Sequence, residues 1–193
     1  MAKYEVTFES SIVRRVRADK CDSQKLRMST KQNSHTKFGV RRASPDDGPA
    51  ILRCRSAAFE PYRTQYTVAG YEDTVLTAET VQQRMRNMVV LVACNEFGVI
   101  IGTVGGNASG KEGHIRGMAV APSSQGTPVG HRLLETIERE LLAAGCSRVT
   151  LDTTAPLIRA MRFYERHGYV RTGTVSDFFG MALYEYEKWL HAK

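Results

Sequence analysis

The sequence predicts a single mixed α/β domain in which a central, mostly antiparallel sheet carries helices on both faces. Three observations predict it. Val89-Val90-Leu91-Val92-Ala93 is an unbroken, largely β-branched run of the kind that fills a buried strand. Short turns at Asn95–Gly98 and Ser109–Gly113 then tie the next strands into a hairpin meander, the antiparallel arrangement that short links allow. Leu133, Leu134, Ile137, Leu141 and Ala144 recur at helical spacing on one face, with Gly145 where a helix C-cap belongs.

Each element can be justified in order. Phe38–Arg42 reads as a short strand. Ser44 is placed as an N-cap, with Pro45 at the first helical position and Asp46 and Asp47 in the first turn. That helix turns Ile51, Leu52, Ala58 and Phe59 inward and stops at Pro61, and a second helical segment lies around Glu79–Asn87. After the Val89 strand come strands over Val99–Ala108 and His114–Val120, then the helix that carries Leu133. Arg148–Asp152 is a strand, Pro156 opens a helix that runs through Arg166, and Tyr169–Val175 and Met181–Tyr186 close the chain as strands. The predicted order is β-α-α-β-β-β-α-β-α-β-β. Residues 37–193 are assigned to this domain. Residues 1–36, which mix charges with Ser, Thr, Asn and Gln, are assigned to a basic N-terminal extension.

Composition narrows the class. A chain of 193 residues with 42% hydrophobic and 24% charged residues is ordinary for a soluble globular domain. It has neither an apolar run long enough to span a bilayer nor an apolar signal core near Met1, so a cytoplasmic protein without membrane contact is expected. The four cysteines (Cys21, Cys54, Cys94, Cys146) form no C-x-x-C pair and read as reduced thiols, with no metal framework. The net charge of +7 is concentrated: residues 1–43 hold 11 Lys+Arg against 4 Asp+Glu, and the remaining 150 residues hold 16 of each. Such an arm could contact a nucleic acid or an acidic partner, but it carries no nucleic-acid-binding motif, and its composition reads first as a solvated extension.

The most informative stretch is Met118-Ala119-Val120-Ala121-Pro122-Ser123-Ser124-Gln125-Gly126-Thr127-Pro128-Val129-Gly130-His131. An apolar strand ends, a Gly/Ser loop turns, and an amphipathic helix begins at once. Free amides and the dipole at a helix start favour an anion, and glycines let it come close. This segment, together with Arg159–Tyr169 and its Arg-Phe-Tyr-Glu-Arg-His-Gly-Tyr run, resembles the GNAT superfamily of N-acetyltransferases, which bind acetyl-coenzyme A. The resemblance extends in element order over roughly Phe38 to Leu190. It implies the acyl-CoA N-acyltransferase fold, with acetyl-CoA as co-substrate and no metal.

In that family the loop reads Gln/Arg-x-x-Gly-x-Gly/Ala and its amides cradle a diphosphate. Gln125 opens the motif here and Gly130 closes it, which implies cofactor contacts from Gln125, Gly126, Thr127, Val129, Gly130 and His131. The strand Met118-Ala119-Val120 matches the segment that pairs with the pantetheine arm. Pro128 stands where the family has its first motif glycine. Proline lacks an N–H, so one donor worth about 1.5–3 kcal/mol is missing. Thr127 as N-cap with Pro128 at the first helical position still suits a helix start, so a weakened site is expected rather than an abolished one.

Acyl transfer to an amine needs a base or a desolvating pocket to supply the free amine, and an acid for the departing thiolate. The resemblance implies Tyr164 as that acid. Glu112 and His114, which share a strand face with Arg116, are the candidates for the base. Backbone amides of Met118–Val120 suit polarisation of the thioester carbonyl. Acceptor recognition is expected from the loop after the first helix, with Glu60 and Tyr62, and from the last strand region, with Asp177. There a carboxylate would hold a cationic amine. The expected activity is transfer of an acetyl group to a primary amine of a small molecule or peptide by direct attack in a ternary complex. Two alternatives stay open: a weak or inactive module of the same fold that binds acyl-CoA or a partner, and a nucleic-acid-associated protein acting through its basic arm. A homodimer is compatible with the sequence.

Overall fold

A computed structural model describes residues 37–191. The expectations for the extension over residues 1–36 lie outside the described residues. The strands are β1 (Phe38–Arg42), β2 (Val89–Asn95), β3 (Ile100–Ser109), β4 (Glu112–Val120), β5 (Arg148–Thr154), β6 (Val170–Phe178) and β7 (Met181–Trp189). The helices are α1 (Gly48–Phe59), α2 (Val68–Val75), α3 (Ala78–Asn87), α4 (Val129–Ala143) and α5 (Ile158–Arg166). The strands form one sheet in the order β1-β2-β3-β4-β5-β7-β6, antiparallel throughout except for the parallel β4–β5 pair.

Strand alternation divides the core between the two sheet faces. Leu91, Ala93 and Ile101 pack with Leu133, Leu134 and Ile137 of α4, whereas Val92 and Ile100 pack with Ile51 and Cys54 of α1 and Val81 of α3. Tyr164 of α5, Tyr169 and Tyr186 belong to the α4 side. The glycine-rich β3 makes the close packing of α4 possible: a Cβ on Gly106 would lie 2.9 Å from Ile137 Cγ1, and one on Gly102 would lie 2.8 Å from Leu133 Cδ1. Ile137 is fully buried at this contact. Ile137→Ala should therefore cost about 2–5 kcal/mol in denaturant unfolding, with an unchanged slope.

Local differences from the expected elements have local causes. Pro45–Asp47 forms a 3-10 turn before α1, in which the Asp47 carboxylate accepts from the Ser44 amide (2.7 Å) and from Arg41 Nη1 (2.6 Å). The guanidinium of Arg41 holds the Asp47 carboxyl down at about 2. Arg42 pairs with Glu140 of α4, so two of the basic residues before position 44 are committed to ion pairs within the domain. Helix α2 was not expected; Thr67 caps it by accepting from the Gly70 amide. Strands β6 and β7 run three residues further than predicted, through Phe178 and Trp189, because their pairing continues to the tight turn at Phe179–Gly180 and along β5 to Arg148. Among the described residues no helix is long and apolar enough to cross a membrane.

Two features of β4 open the molecule. Opposite β3, Gly117 and Met118 together face Val104, a bulge in which Gly117 adopts φ +70°. On its other edge β4 pairs with β5 only from Glu112–Arg148 to Ile115–Leu151. Beyond Ile115 the two strands part, and a cleft lies between them.

Candidate active site

The cleft has a volume of about 610 Å³ and is walled by α1, α2, α3, β4, β5, α5 and the loop into α4. Met118, Ala119 and Val120 line it from β4, whose β5-facing edge lacks a partner strand here. Exposed strand edges of this kind accept an extended polar chain by backbone pairing. Thr153 on β5 also lines the cleft, is 4% exposed, and its Oγ1 is a buried polar atom with no hydrogen-bond partner among the described residues. Such an orphan calls for a ligand or a water.

At the mouth, Ser124, Gln125, Gly126, Thr127, Gly130 and His131 line the wall, while Val129 points into the core at 1% exposure. Gln125 Nε2 donates to Val120 O (3.1 Å), which fastens the loop to the strand. The N-cap is Pro128 rather than Thr127: the Thr127 hydroxyl donates to Ser124 O at 2.6 Å and lies 3.5 Å from the Val129 amide. Pro128 keeps φ −64°, and its carbonyl takes the Arg132 amide. The amides of Gly130 and His131 find no backbone acceptor among the described residues, and Gly126 at φ +78° bends the loop around them. Free amides at the head of a 15-residue helix suit a diphosphate. The loop amides, the open edge of β4 and the orphan Thr153 hydroxyl together fit the phosphate and amide-bearing arm of acetyl-CoA.

Two histidines stand beside this entrance. His167 Nδ1 donates to Phe163 O (2.7 Å), so its Nε2 accepts from His131 Nδ1 (2.9 Å), which leaves His131 Nε2 without a partner among the described residues.

Deeper in, His114 Nδ1 meets Thr150 Oγ1 at 2.9 Å, and its Nε2 lies 3.5 Å from Asp152 Oδ2. Burial holds the His114 imidazole below its usual range, and Arg116 adds to this while Asp152 opposes it. Burial pushes the Asp152 carboxyl up. The Thr150 hydroxyl donates to Gly113 O (3.5 Å), so it accepts from His114 Nδ1–H, and Nε2 is then left as an acceptor whose proton, once taken, is stabilised by Asp152. Tyr164 is 7% exposed and lines the cleft, and no hydrogen-bond partner for its hydroxyl is found among the described residues. Burial pushes its phenol above the usual range, which keeps it protonated.

Three residues expected at the site lie elsewhere. Glu112 sits where β4 and β5 are still paired and holds Arg148 at 2.6 Å, so the splay that opens the cleft begins beyond it. Glu60 accepts from Tyr71 Oη (2.9 Å) on the exposed 3-10 turn Glu60–Gln65. Asp177 accepts from the Gly180 amide (3.2 Å) and shapes the β6–β7 turn. Tyr62 does reach the cleft.

In their place the structure brings three arginines to the inner wall. Arg55 of α1 is 3% exposed, and its Nε and Nη2 donate to Thr74 O while Nη1 donates to Gly117 O. Arg84 of α3 and Arg116 of β4 line the same wall. Gly117 must be glycine twice over, for its φ and because a Cβ would lie 2.8 Å from Arg55 Nη1 and 3.0 Å from Arg84 Nη1. The signal for Arg55 was a charge within the buried face formed by Ile51, Cys54, Ala58 and Phe59. Arg84, Asp152 and Thr153 gave no signal of their own.

Comparison with known proteins agrees with this geometry. Residues 51–169 match the Acetyltransferase (GNAT) family. An IAA acetyltransferase of Azospirillum brasilense is 33% identical over 72 residues, which make up 37% of this chain and 47% of that protein, so the match spans just under half of this relative's length. Among solved structures, the PaiA N-acetyltransferase of Thermoplasma acidophilum in complex with coenzyme A superposes with a TM-score of 0.68 at 16% identity, covering 80% of this chain and 99% of that one. The ribosomal-protein-S18-alanine N-acetyltransferase of Escherichia coli gives 0.66 at 15% identity, covering 81% and 96%. At these identities the two likenesses establish the fold.

Proposed function

Because the chain belongs to the GNAT family of acetyltransferases, we propose that it moves the acetyl group of acetyl-CoA to a primary amine by direct attack while both are held in the cleft. The observation that carries this reading is that one cleft joins the free amides at the head of α4 to the His114–Asp152 pair and the Tyr164 phenol.

Bound acetyl-CoA supplies an activated acetyl thioester; the C–N bond forms as the C–S bond breaks, and the electron pair leaves on sulfur. The chain supplies the rest. Gly130 and His131 donate to the diphosphate, and the Met118–Val120 edge of β4 aligns the arm and polarises the thioester carbonyl. A lysine-like amine is nearly all protonated at pH 7, with a pKa of about 10.4. The ammonium first gives one proton to water, and as the free amine forms the C–N bond His114 Nε2 takes the second N–H proton, with Asp152 stabilising the imidazolium. The Tyr164 hydroxyl delivers a proton to the departing sulfur.

The test is thiol release from acetyl-CoA across a panel of amines. Amine-dependent release supports transfer, whereas tight binding of acetyl-CoA without release by any amine would leave a binding module and overturn the reading. Tyr164→Phe should lower kcat at least about tenfold with little change in acetyl-CoA affinity, as expected for loss of an acid used only in the reaction.

A further inference from the structure

The inner wall of the cleft is more cationic than acetyl transfer to a simple amine requires. Arg55 is buried, yet its only acceptors among the described residues are two carbonyl oxygens, and it forms no ion pair there. Buried guanidinium groups stay charged and are costly when no anion faces them. Arg84, half-buried, and Arg116, exposed, have neither a hydrogen bond nor an ion pair among the described residues. Burial, together with Arg116, pulls Arg84 down to about 10 against the opposing pull of Asp73. Three like charges have thus been gathered where Coulomb repulsion opposes their meeting. Among the described residues Asp73 and Asp152 are the carboxylates on this cleft; Asp73 offsets Arg55 and Arg84 in part but forms an ion pair with neither, and Asp152 faces His114.

The cofactor's phosphates do not account for this cluster. Gly117, against which Arg55 and Arg84 crowd, lies three residues back along β4 from Val120, roughly 10 Å of strand, and the loop that presents the free amides comes later still. The arginines stand instead at the vertex where β4 and β5 part, the same level as His114, which pairs with Thr150 one position before Ile115. An acceptor entering here as a bare cation would meet a net positive wall. One that carries its own oxyanion would satisfy the free guanidinium donors, and guanidinium–carboxylate pairing is bidentate and directional.

We propose that the acceptor is a carboxylate-bearing amine of the amino acid class, its carboxylate held by Arg84 and Arg116 over the buried Arg55 and its amino group turned to His114 and Asp152. The proposal deepens the acetyl-transfer reading and rests on it. It replaces the expectation that Glu60 or Asp177 holds a cationic amine.

The experiment compares matched pairs, an amino acid and the amine that lacks only its carboxylate, by thiol release at fixed acetyl-CoA. In parallel, calorimetry measures binding of the corresponding N-acetyl compounds to the protein with and without coenzyme A. The carboxylate-bearing member should be favoured about 10–100-fold in kcat/KM and in affinity, the range of a charge-assisted contact. Arg84→Gln and Arg116→Gln should bring that ratio close to one, mainly through KM, and Arg84→Lys should restore part of it. Equal or better use and binding of the amines without carboxylate, or a ratio untouched in both glutamine variants, would overturn the proposal. If coenzyme A itself fails to bind, the transfer reading fails separately, and the calorimetry without coenzyme A still decides whether the wall prefers a carboxylate.

Discussion

His114→Gln should lower kcat by about 10²–10⁴-fold, the usual contribution of a positioned proton acceptor. Glutamine keeps the size and a hydrogen-bonding contact to Thr150 but offers no basic nitrogen where Nε2 faces Asp152. The pH profile gives a sharper readout than the rate. The working form of His114 is the neutral one, and burial holds its imidazole below the ordinary histidine range. Activity should thus be lost as pH falls through that lowered pKa, below about 6.5, and the histidine should already be neutral at pH 7. In His114→Gln that acid limb should vanish, and the remaining rise with pH should follow the acceptor amine alone. A variant with wild-type kcat and the same acid limb would remove His114 from the chemistry and leave Asp152 as the base to be examined. A thermal melt close to that of the parent protein checks that the fold is intact.

Gly130→Glu should weaken acetyl-CoA binding by about a hundredfold or more. Gly130 lines the cleft, and a Cβ at this position makes ordinary contacts of 3.5 Å with Met118 and 3.6 Å with Phe163, so a longer side chain must turn toward the entrance. A carboxylate there competes for the amides of Gly130 and His131 and repels a diphosphate. Loss of charge-assisted bonds worth about 1.5–3 kcal/mol each, with repulsion added, gives the expected magnitude. Gly130→Ala separates size from charge: its methyl group has room, so binding should stay within about threefold of the parent. Calorimetry with acetyl-CoA at two ionic strengths reads both, and added salt should narrow the gap between Glu and Ala because it screens the repulsion.

The elements that could be read in the sequence were those whose pattern is strictly local. The apolar run at Val89, the Leu133–Leu141 stripe and the Gly145 cap each state an element's type and burial within a few residues. Helix α2 was missed because Val-Ala-Gly-Tyr-Glu-Asp-Thr-Val lacks a clear apolar stripe, and its start is marked by one threonine. The loop into α4 was visible because an anion site at a helix start is made by consecutive residues. The inner wall was not. Arg55, Arg84 and Arg116 come from three elements that meet only when α1 and α3 pack beside the bulged β4, and nothing near any one of them in the chain announces the other two. The same cause misplaced the acceptor residues. Glu60 and Asp177 lie in segments next to the cleft, but their carboxylates are taken up by Tyr71 and by the Gly180 amide. Strand alternation put Glu112 on the same face as His114, yet it could not show that the sheet stays closed from Glu112 to Ile115 and opens only beyond Ile115, next to His114 and away from Glu112.

A crystal structure of the protein with acetyl-CoA tests the account most directly. The diphosphate should lie on the amides of Gly130 and His131, the arm should run along Met118–Val120, and the thioester carbon should come within reach of His114 Nε2. A complex whose diphosphate sits away from the head of α4, or whose thioester points out of the β4–β5 cleft, would contradict it.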